Sequence, residues 1–387
     1  MQEIKEREIF YLSGYDPRGY RYYYSLYKKN VKKHNKIDDI NIKLSKTKKV
    51  KSHIYSCELN TKNKTKIDYN FLVWNDIVKD NWSESFFANV LDSIYFIKMY
   101  LLSGIFVRFT KESPAQLIAG LYPLFYLIIS FLILFALSFN SYSLVTKLSS
   151  NIFGILVFIL LFFTGSKIIE KIGNKFAVFW LSRIYAFCAR WSENKIEKID
   201  ERIEYFSEHI INKLQETNNK NKEYILSAHS VGTLLAIGIA TRVIKKCKEK
   251  NIDYSNFKLL TLGHCIPLVS FQRKAFSNKK DLEYLGTIKD FTWLDYTATI
   301  DGACFAFVDP ISASGIKKEK NCGAKIQSTR FFKLYKKENY QRVKKQKYTA
   351  HFLYLMATDL LGNYNYFDIT AGTKPLEYRI ETYMKEK

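Results

Sequence analysis

Two uninterrupted apolar stretches dominate the pattern of hydrophobic and polar positions. Residues 116–139, QLIAGLYPLFYLIISFLILFALSF, and residues 148–166, LSSNIFGILVFILLFFTGS, contain no charged side chain. As helices they would extend roughly 36 and 28 Å, enough to cross a hydrocarbon core about 30 Å thick. Helices buried in a soluble core normally keep a polar stripe, which these stretches lack. We therefore predict two transmembrane helices joined by the short link NSYSLVTK.

The charges that flank these stretches predict their orientation. Arg108 and Lys111 precede the first stretch and three lysines follow the second, whereas the link holds only Lys147. Basic residues next to membrane spans are retained on the cytoplasmic side. We therefore expect a multi-pass protein with two spans in the inner membrane of a bacterium, with both long soluble parts in the cytoplasm.

The soluble parts show apolar patterns of strands and helices in alternation. Strands are predicted before the hairpin over 7–14, 52–59 and 67–74, and a helix over 83–104. Behind it we predict a largely helical region over 168–216, strands over 223–227, 257–263 and 290–298, and helices over 232–249 and 351–362. This alternation predicts an α/β fold, a mostly parallel sheet flanked by helices. The expected organisation is a first part over 1–104, a transmembrane hairpin insertion over 105–175 and a second part over 176–387.

Composition adds a strong positive charge and six dispersed cysteines. The chain has 60 Lys and Arg against 37 Asp and Glu, a net charge of +23. Such an excess fits a nucleic acid, an anionic membrane surface or a lysine-rich composition. No helix-turn-helix, zinc-finger or RNP pattern is present, so we expect no specific nucleic-acid partner and favour the lipid bilayer. The cysteines form no C-x-x-C pair, which favours buried thiols over a metal site, and we expect neither metal nor cofactor.

One short segment indicates chemistry. In ILSAHSVGTLLA (225–236), a serine stands between small residues, after an apolar run and before a helical pattern. AHSVG matches G-x-S-x-G with alanine in the first place, the pattern of a nucleophilic serine on a sharp strand-to-helix turn. Free N–H groups at the helix start could stabilise an oxyanion beside Ser230. A helix-capping serine among small residues would show the same pattern.

A nucleophilic serine needs a histidine base and an acid that orients it. Downstream of Ser230 the candidate bases are His264 and His351. The candidate acids include Asp295 and Asp309, but we favour Asp301 because acids of this kind lie just beyond the carboxyl end of a strand.

Three downstream segments carry a resemblance to the class 3 lipase-type α/β hydrolases. They are TLGHCIPL (261–268), WLDYTATID (293–301) and AHFLYL (350–355). With the serine segment, they arrive in the order Ser, Asp, His that this superfamily uses. The resemblance covers residues 7–30 and about 195–360. It implies that Ser230 is the nucleophile, Asp301 the orienting acid and His351 the base, at the start of the last helix.

A further segment, FYLSGYDPRGYRYY (10–23), resembles the loop that completes the oxyanion hole in this superfamily. The resemblance implies that the N–H groups of Tyr15 and Val231 hold the oxyanion and that Gly14 and Gly232 allow close backbone approach. Serine replaces the family's histidine at position 13, and alanine replaces glycine at position 228. These two departures concern the activity rather than the fold. Arg18 could contact an anionic headgroup or pair with a nearby acid.

Together these features predict a membrane-anchored serine hydrolase that cleaves a lipid or acyl ester at the cytoplasmic face. An acyltransferase or a thioesterase would use the same residues. The alternative from another class is a catalytically inactive hydrolase fold that acts as a membrane-bound binding or assembly component. A basic nucleic-acid binder ranks last, and the sequence does not determine the oligomeric state.

Overall fold

The computed structural model describes residues 3–216 and 221–385, and the chain forms two compact units. The first unit combines the chain up to Asn81 with the chain from Trp191 onward, and the second unit is Trp82–Arg190. The second unit thus extends beyond both ends of the predicted hairpin insertion over 105–175.

The first unit is built on a mixed sheet of nine strands whose spatial order is β2-β4-β5-β1-β6-β7-β8-β9, with β3 paired to β4. The section from β5 to β9 is parallel, and β2, β3 and β4 add antiparallel pairs at one edge. The central strands are short apolar runs buried on both faces, as parallel strands covered by helices require. The predicted α/β class with a mostly parallel sheet is therefore confirmed. The strands are β1 (Glu6–Leu12), β2 (Lys43–Leu44), β3 (Lys48–Lys51), β4 (Ile54–Asn60), β5 (Lys66–Leu72), β6 (Lys222–His229), β7 (Phe257–Leu262), β8 (Trp293–Thr297) and β9 (Lys325–Ser328).

Helices flank this sheet and also form the second unit. Short turns of 3₁₀-helix occupy Ser312–Ser314 and Leu353–Leu355, and a π-helical turn occupies Ile97–Leu101. The α-helices are α1 (Gly19–His34), α2 (Asn75–Asp80), α3 (Phe86–Phe96), α4 (Ile105–Glu112), α5 (Pro114–Leu148), α6 (Asn151–Lys175), α7 (Val178–Ser192), α8 (Ile199–Gln215), α9 (Gly232–Glu249), α10 (Pro267–Ser270), α11 (Phe276–Leu285), α12 (Phe331–Leu334), α13 (Lys337–Lys345), α14 (Lys347–Phe352), α15 (Tyr366–Ala371) and α16 (Leu376–Lys385).

The second unit contains the two long apolar helices. By length and composition, α5 and α6 are each able to cross a membrane. A pair of helices, Phe86–Leu101 and Ile105–Glu112, passes the same test only when taken together, and the two are bent by 76° relative to each other. The predicted link NSYSLVTK is wrong as a loop, because it continues α5 to Leu148. It contains neither glycine nor proline to end a helix. The chain instead turns at Ser149 and Ser150, where the Ser150 hydroxyl accepts from the N–H of Phe153 and caps α6.

The predicted helix over 351–362 is also wrong. Helix α14 begins earlier, at Lys347, and ends at Phe352, so His351 lies near the end of a short helix rather than at its start. One 3₁₀ turn follows, and the chain from Met356 to Asn365 is not helical. Within this stretch the Asp359 carboxylate accepts from the N–H of Lys336 and from Asn339, contacts with a separate segment that the local pattern does not display.

The prediction that the cysteines are buried thiols is confirmed. All six are free and buried, and they are distributed over both units. Their burial follows the ordinary preference of a thiol for apolar surroundings.

Candidate active site

Ser230 lies on a sharp turn between β6 and α9. Its φ angle is +56°, in the left-handed region that a non-glycine residue rarely adopts. The turn is held by Ser230 N–H, which donates to Leu262 O at 3.0 Å, and by Thr233, whose N–H and hydroxyl donate to Ser230 O at 3.0 and 2.6 Å. The strained conformation is therefore fixed by the neighbouring strand β7 and the first turn of α9.

Small residues around the serine are required by close backbone approach. A Cβ added at Gly232 would lie 2.4 Å from Ser13 O, so α9 begins in direct contact with the chain that follows β1. A Cβ at Gly14 would lie 3.0 Å from Ser230 Cβ and 3.3 Å from its Oγ. Ala228 is buried in β6 opposite Leu12, where its methyl group fits the sheet. The departure from glycine at this position is therefore compatible with the turn.

Asp301 and His351 form a buried pair. Both carboxylate oxygens of Asp301 lie 2.9 Å from His351 Nδ1, and Ala303 N–H donates to Oδ1 at 3.0 Å. Burial alone would raise the pKa of Asp301. The charge and hydrogen bond of His351, with the Ala303 N–H, outweigh it and hold the pKa of Asp301 below its ordinary value. The carboxylate is therefore ionised and oriented toward the imidazole.

The competing acids have different partners. Asp295, inside β8, accepts from the Thr261 hydroxyl at 2.6 Å and lies 4.0 Å from His264 Nε2. Burial raises the pKa of Asp295 above its ordinary value. Asp309 pairs with Lys318. Asp301 is thus the acid in contact with His351, and His264 lies beside Asp295 instead.

His229 occupies a variable position of the serine motif. It nevertheless links the serine turn to the backbone of His351. Its Nε2 is 2.8 Å from His351 O, and the two imidazole rings lie 4.7 Å apart between centroids. Burial lowers the pKa of His229 to about 3, so the ring is neutral and its Nε2–H can donate to that carbonyl. The residue before Ser230 therefore holds the backbone of His351. Nothing in the motif distinguishes this position.

Cys265 is a second residue that the sequence analysis missed. Its Sγ lies 3.6 Å from Ser230 Oγ, and burial raises the pKa of the thiol to about 12. The group is thus a neutral thiol that can exchange a weak hydrogen bond with the serine hydroxyl. The sequence signal that could have identified Cys265 is its position two residues after Gly263, just beyond the carboxyl end of β7.

The two candidate oxyanion donors follow the serine and the glycine that packs on it. Val231 follows Ser230 directly, and within residues 3–216 and 221–385 its N–H donates no hydrogen bond. Tyr15 follows Gly14, which packs on Ser230, and its hydroxyl donates to Asn81 O at 2.7 Å. Ser13 accepts from Trp74 Nε1 at 3.0 Å through its carbonyl.

Arg18 pairs with an acid, one of its two predicted roles. Its guanidinium donates to both oxygens of Asp16, at 2.5 to 2.9 Å, and to the Tyr348 hydroxyl at 2.7 Å. It also lies 3.6 Å from the ring centroid of Tyr22. Arg18 thus ties α1 to α14, the helix that carries His351.

Each residue of the candidate site lies after the carboxyl end of a parallel strand, or contacts a residue that does. This edge is where open α/β sheets bind ligands. Among the described residues, no group of three or more His, Cys, Asp or Glu side chains is arranged to hold a metal ion. Comparison of the chain with protein-family models, with curated proteins and with solved structures finds no match.

Proposed function

We propose that this protein is a membrane-anchored serine hydrolase that cleaves an ester of a lipid or acyl group. The observation that carries the proposal is the buried Asp301–His351 pair at the sheet edge where Ser230 occupies a strained turn. A carboxylate-oriented imidazole and a serine in a rarely populated conformation, at the same edge of a sheet, are the groups that activation of an alcohol requires.

The reaction follows from the roles of these groups. Asp301 accepts the Nδ1 hydrogen of His351 and so makes Nε2 the basic nitrogen of the neutral imidazole. His351 takes the Ser230 proton as Oγ bonds to the carbonyl carbon, and the N–H groups of Val231 and Tyr15 stabilise the oxyanion. The imidazolium then protonates the leaving alcohol, and water repeats the steps to release the acid. Each oxyanion donor contributes about 10²–10³-fold to such a rate.

The membrane features support an ester of a lipid or acyl group as the substrate. Helices α5 and α6 are long and apolar enough to hold the chain at a bilayer, and the net charge of +23 favours an anionic leaflet. We further propose that both soluble parts face the cytoplasm. Transfer of the acyl group to another alcohol, or cleavage of a thioester, would use the same residues.

Burial of the site favours the second candidate, an inactive hydrolase fold with a binding role. Ser230 is 3% exposed and His351 is 1% exposed, so a substrate reaches the hydroxyl only if the neighbouring chain moves. A binding component would keep the turn and the pair as structural elements.

Labelling with a fluorophosphonate separates these candidates, because the probe reacts only with an activated serine. The full chain is tested in lipid nanodiscs beside Ser230→Ala and beside Ser227→Ala, a buried serine of β6, the strand that precedes the turn. We expect labelling of the wild type and of Ser227→Ala, and none of Ser230→Ala. An unlabelled wild type, or equal labelling of Ser230→Ala, would refute the hydrolase and leave the binding role.

A further inference from the structure

The first unit has an open groove that the proposed reaction does not use. It has a volume of about 580 Å³ and is bounded by the end of α1, by α13 and by the chain that follows α14. We call it the α13 groove. Its volume lies within the range of about 300–1,000 Å³ that is usual for small-molecule sites.

Apolar side chains form one part of the α13 groove, its floor, whereas polar side chains contribute more of the exposed lining. Val343 and Leu353 are buried and line it from α13 and from the turn after α14, and the partly buried Ile37 and Met356 extend this surface. An apolar floor that is open to solvent favours a ligand with an apolar part, because its burial removes hydrocarbon surface from water.

The rim of the groove is positively charged. Lys33, Lys36, Lys336 and Arg342 line it, and all four side chains are exposed. Within the described part of the chain, none of the three lysines forms an ion pair, whereas exposed lysines elsewhere pair with acids, as Lys48 does with Glu58. Three lysines of the rim are thus close to one cavity without ion pairs in the described part of the chain, and Arg342 adds a fourth positive charge.

Among the described residues, one carboxylate lines the groove, that of Asp359, and it already accepts two hydrogen bonds. Asp359 Oδ2 accepts from the N–H of Lys336 at 3.0 Å and from Asn339 Nδ2 at 2.8 Å. This carboxylate caps the start of α13 and is directed to neutral donors. The net charge around the cavity is therefore strongly positive.

We propose that the α13 groove binds an anionic amphiphile, a phosphate or carboxylate head attached to an alkyl chain. The head would accept charge-assisted hydrogen bonds from the lysines and Arg342, and the chain would cover the apolar floor. A free anion lacks the second interaction and a neutral alcohol lacks the first. The site stands independently of the hydrolase proposal, because it uses none of its residues.

The test measures the affinity of the full chain, in phosphatidylcholine nanodiscs, for octyl phosphate, inorganic phosphate and 1-octanol. We expect octyl phosphate to bind most tightly. The double variant Lys33→Gln/Lys336→Gln should weaken it by about tenfold, since each exposed charge contributes up to about a factor of five. The control Lys317→Gln/Lys320→Gln removes the same charge from two exposed lysines elsewhere on this unit and should bind as the wild type does.

Equal affinity in the two double variants would overturn the proposal, as would inorganic phosphate binding as tightly as octyl phosphate. The source of the ligand is distinguished by adding phosphatidic acid to the nanodiscs. Weaker octyl phosphate binding by the wild type but not by the groove variant identifies a bilayer lipid. Unchanged binding identifies an amphiphile taken from solution.

Discussion

The substitution Asp301→Asn tests which acid orients His351. The asparagine keeps the size of the side chain, removes its charge, and replaces one of the two oxygens that lie 2.9 Å from Nδ1 by an NH₂ donor. At that distance a unit charge stabilises an imidazolium by about 6 kcal/mol for an effective dielectric constant of about 20. Because about 1.4 kcal/mol corresponds to a factor of ten in rate, the loss should approach ten-thousand-fold.

The assay is the second-order rate of fluorophosphonate labelling of the full chain, together with hydrolysis of a soluble nitrophenyl ester. Asp295→Asn is the matched control, since Asp295 is equally buried but accepts from the Thr261 hydroxyl and lies beside His264. We expect this control to react within about tenfold of the wild type, a margin well below the loss that removal of an orienting acid causes. If Asp301→Asn reacts as the control does, or if the control loses as much, our assignment of the acid is wrong. Thermal unfolding of both variants checks that the fold is retained.

Three further predictions concern packing, pH and topology. Gly232→Ala should lower the free energy of unfolding by about 3 kcal/mol, because its Cβ meets Ser13 O at 2.4 Å; Gly302→Ala, with open space at the Cβ, should change it little in the same denaturant titration. Burial holds the pKa of His229 at about 3, below about 6.5 in the unfolded chain, so wild-type stability should fall as the pH decreases between these values; His229→Gln should show a shallower fall in thermal unfolding, and an unchanged slope would contradict this. In intact cells an impermeant maleimide should label Ser149→Cys, in the turn between α5 and α6, but not Ser255→Cys on the first unit, and the reverse result would invert the topology.

Local sequence patterns predicted most of the regular structure. The apolar runs of the sheet place β1, β5, β6 and β7 within two residues of their observed ends, and α9 coincides with its prediction. The serine motif locates a strand–turn–helix because it combines an apolar run, small residues and a helical pattern within twelve residues. Such signals depend on neighbours in the chain, which the sequence displays directly.

Contacts between distant segments depend on the tertiary structure. Three candidate acids lie in β8 or in the chain that follows it, namely Asp295, Asp301 and Asp309. Only the folded chain brings Asp301 to His351 and leaves Asp295 beside Thr261. The contacts of His229 with His351, and of Cys265 with Ser230, join residues 122 and 35 positions apart. The chain after α14 also makes a contact with a separate segment, since the Asp359 carboxylate accepts from the N–H of Lys336 at the start of α13. The sequence thus determines where strands, turns and apolar helices form, because those depend on local periodicity. Pairing of strands from distant segments decides which side chains meet at the carboxyl edge of the sheet.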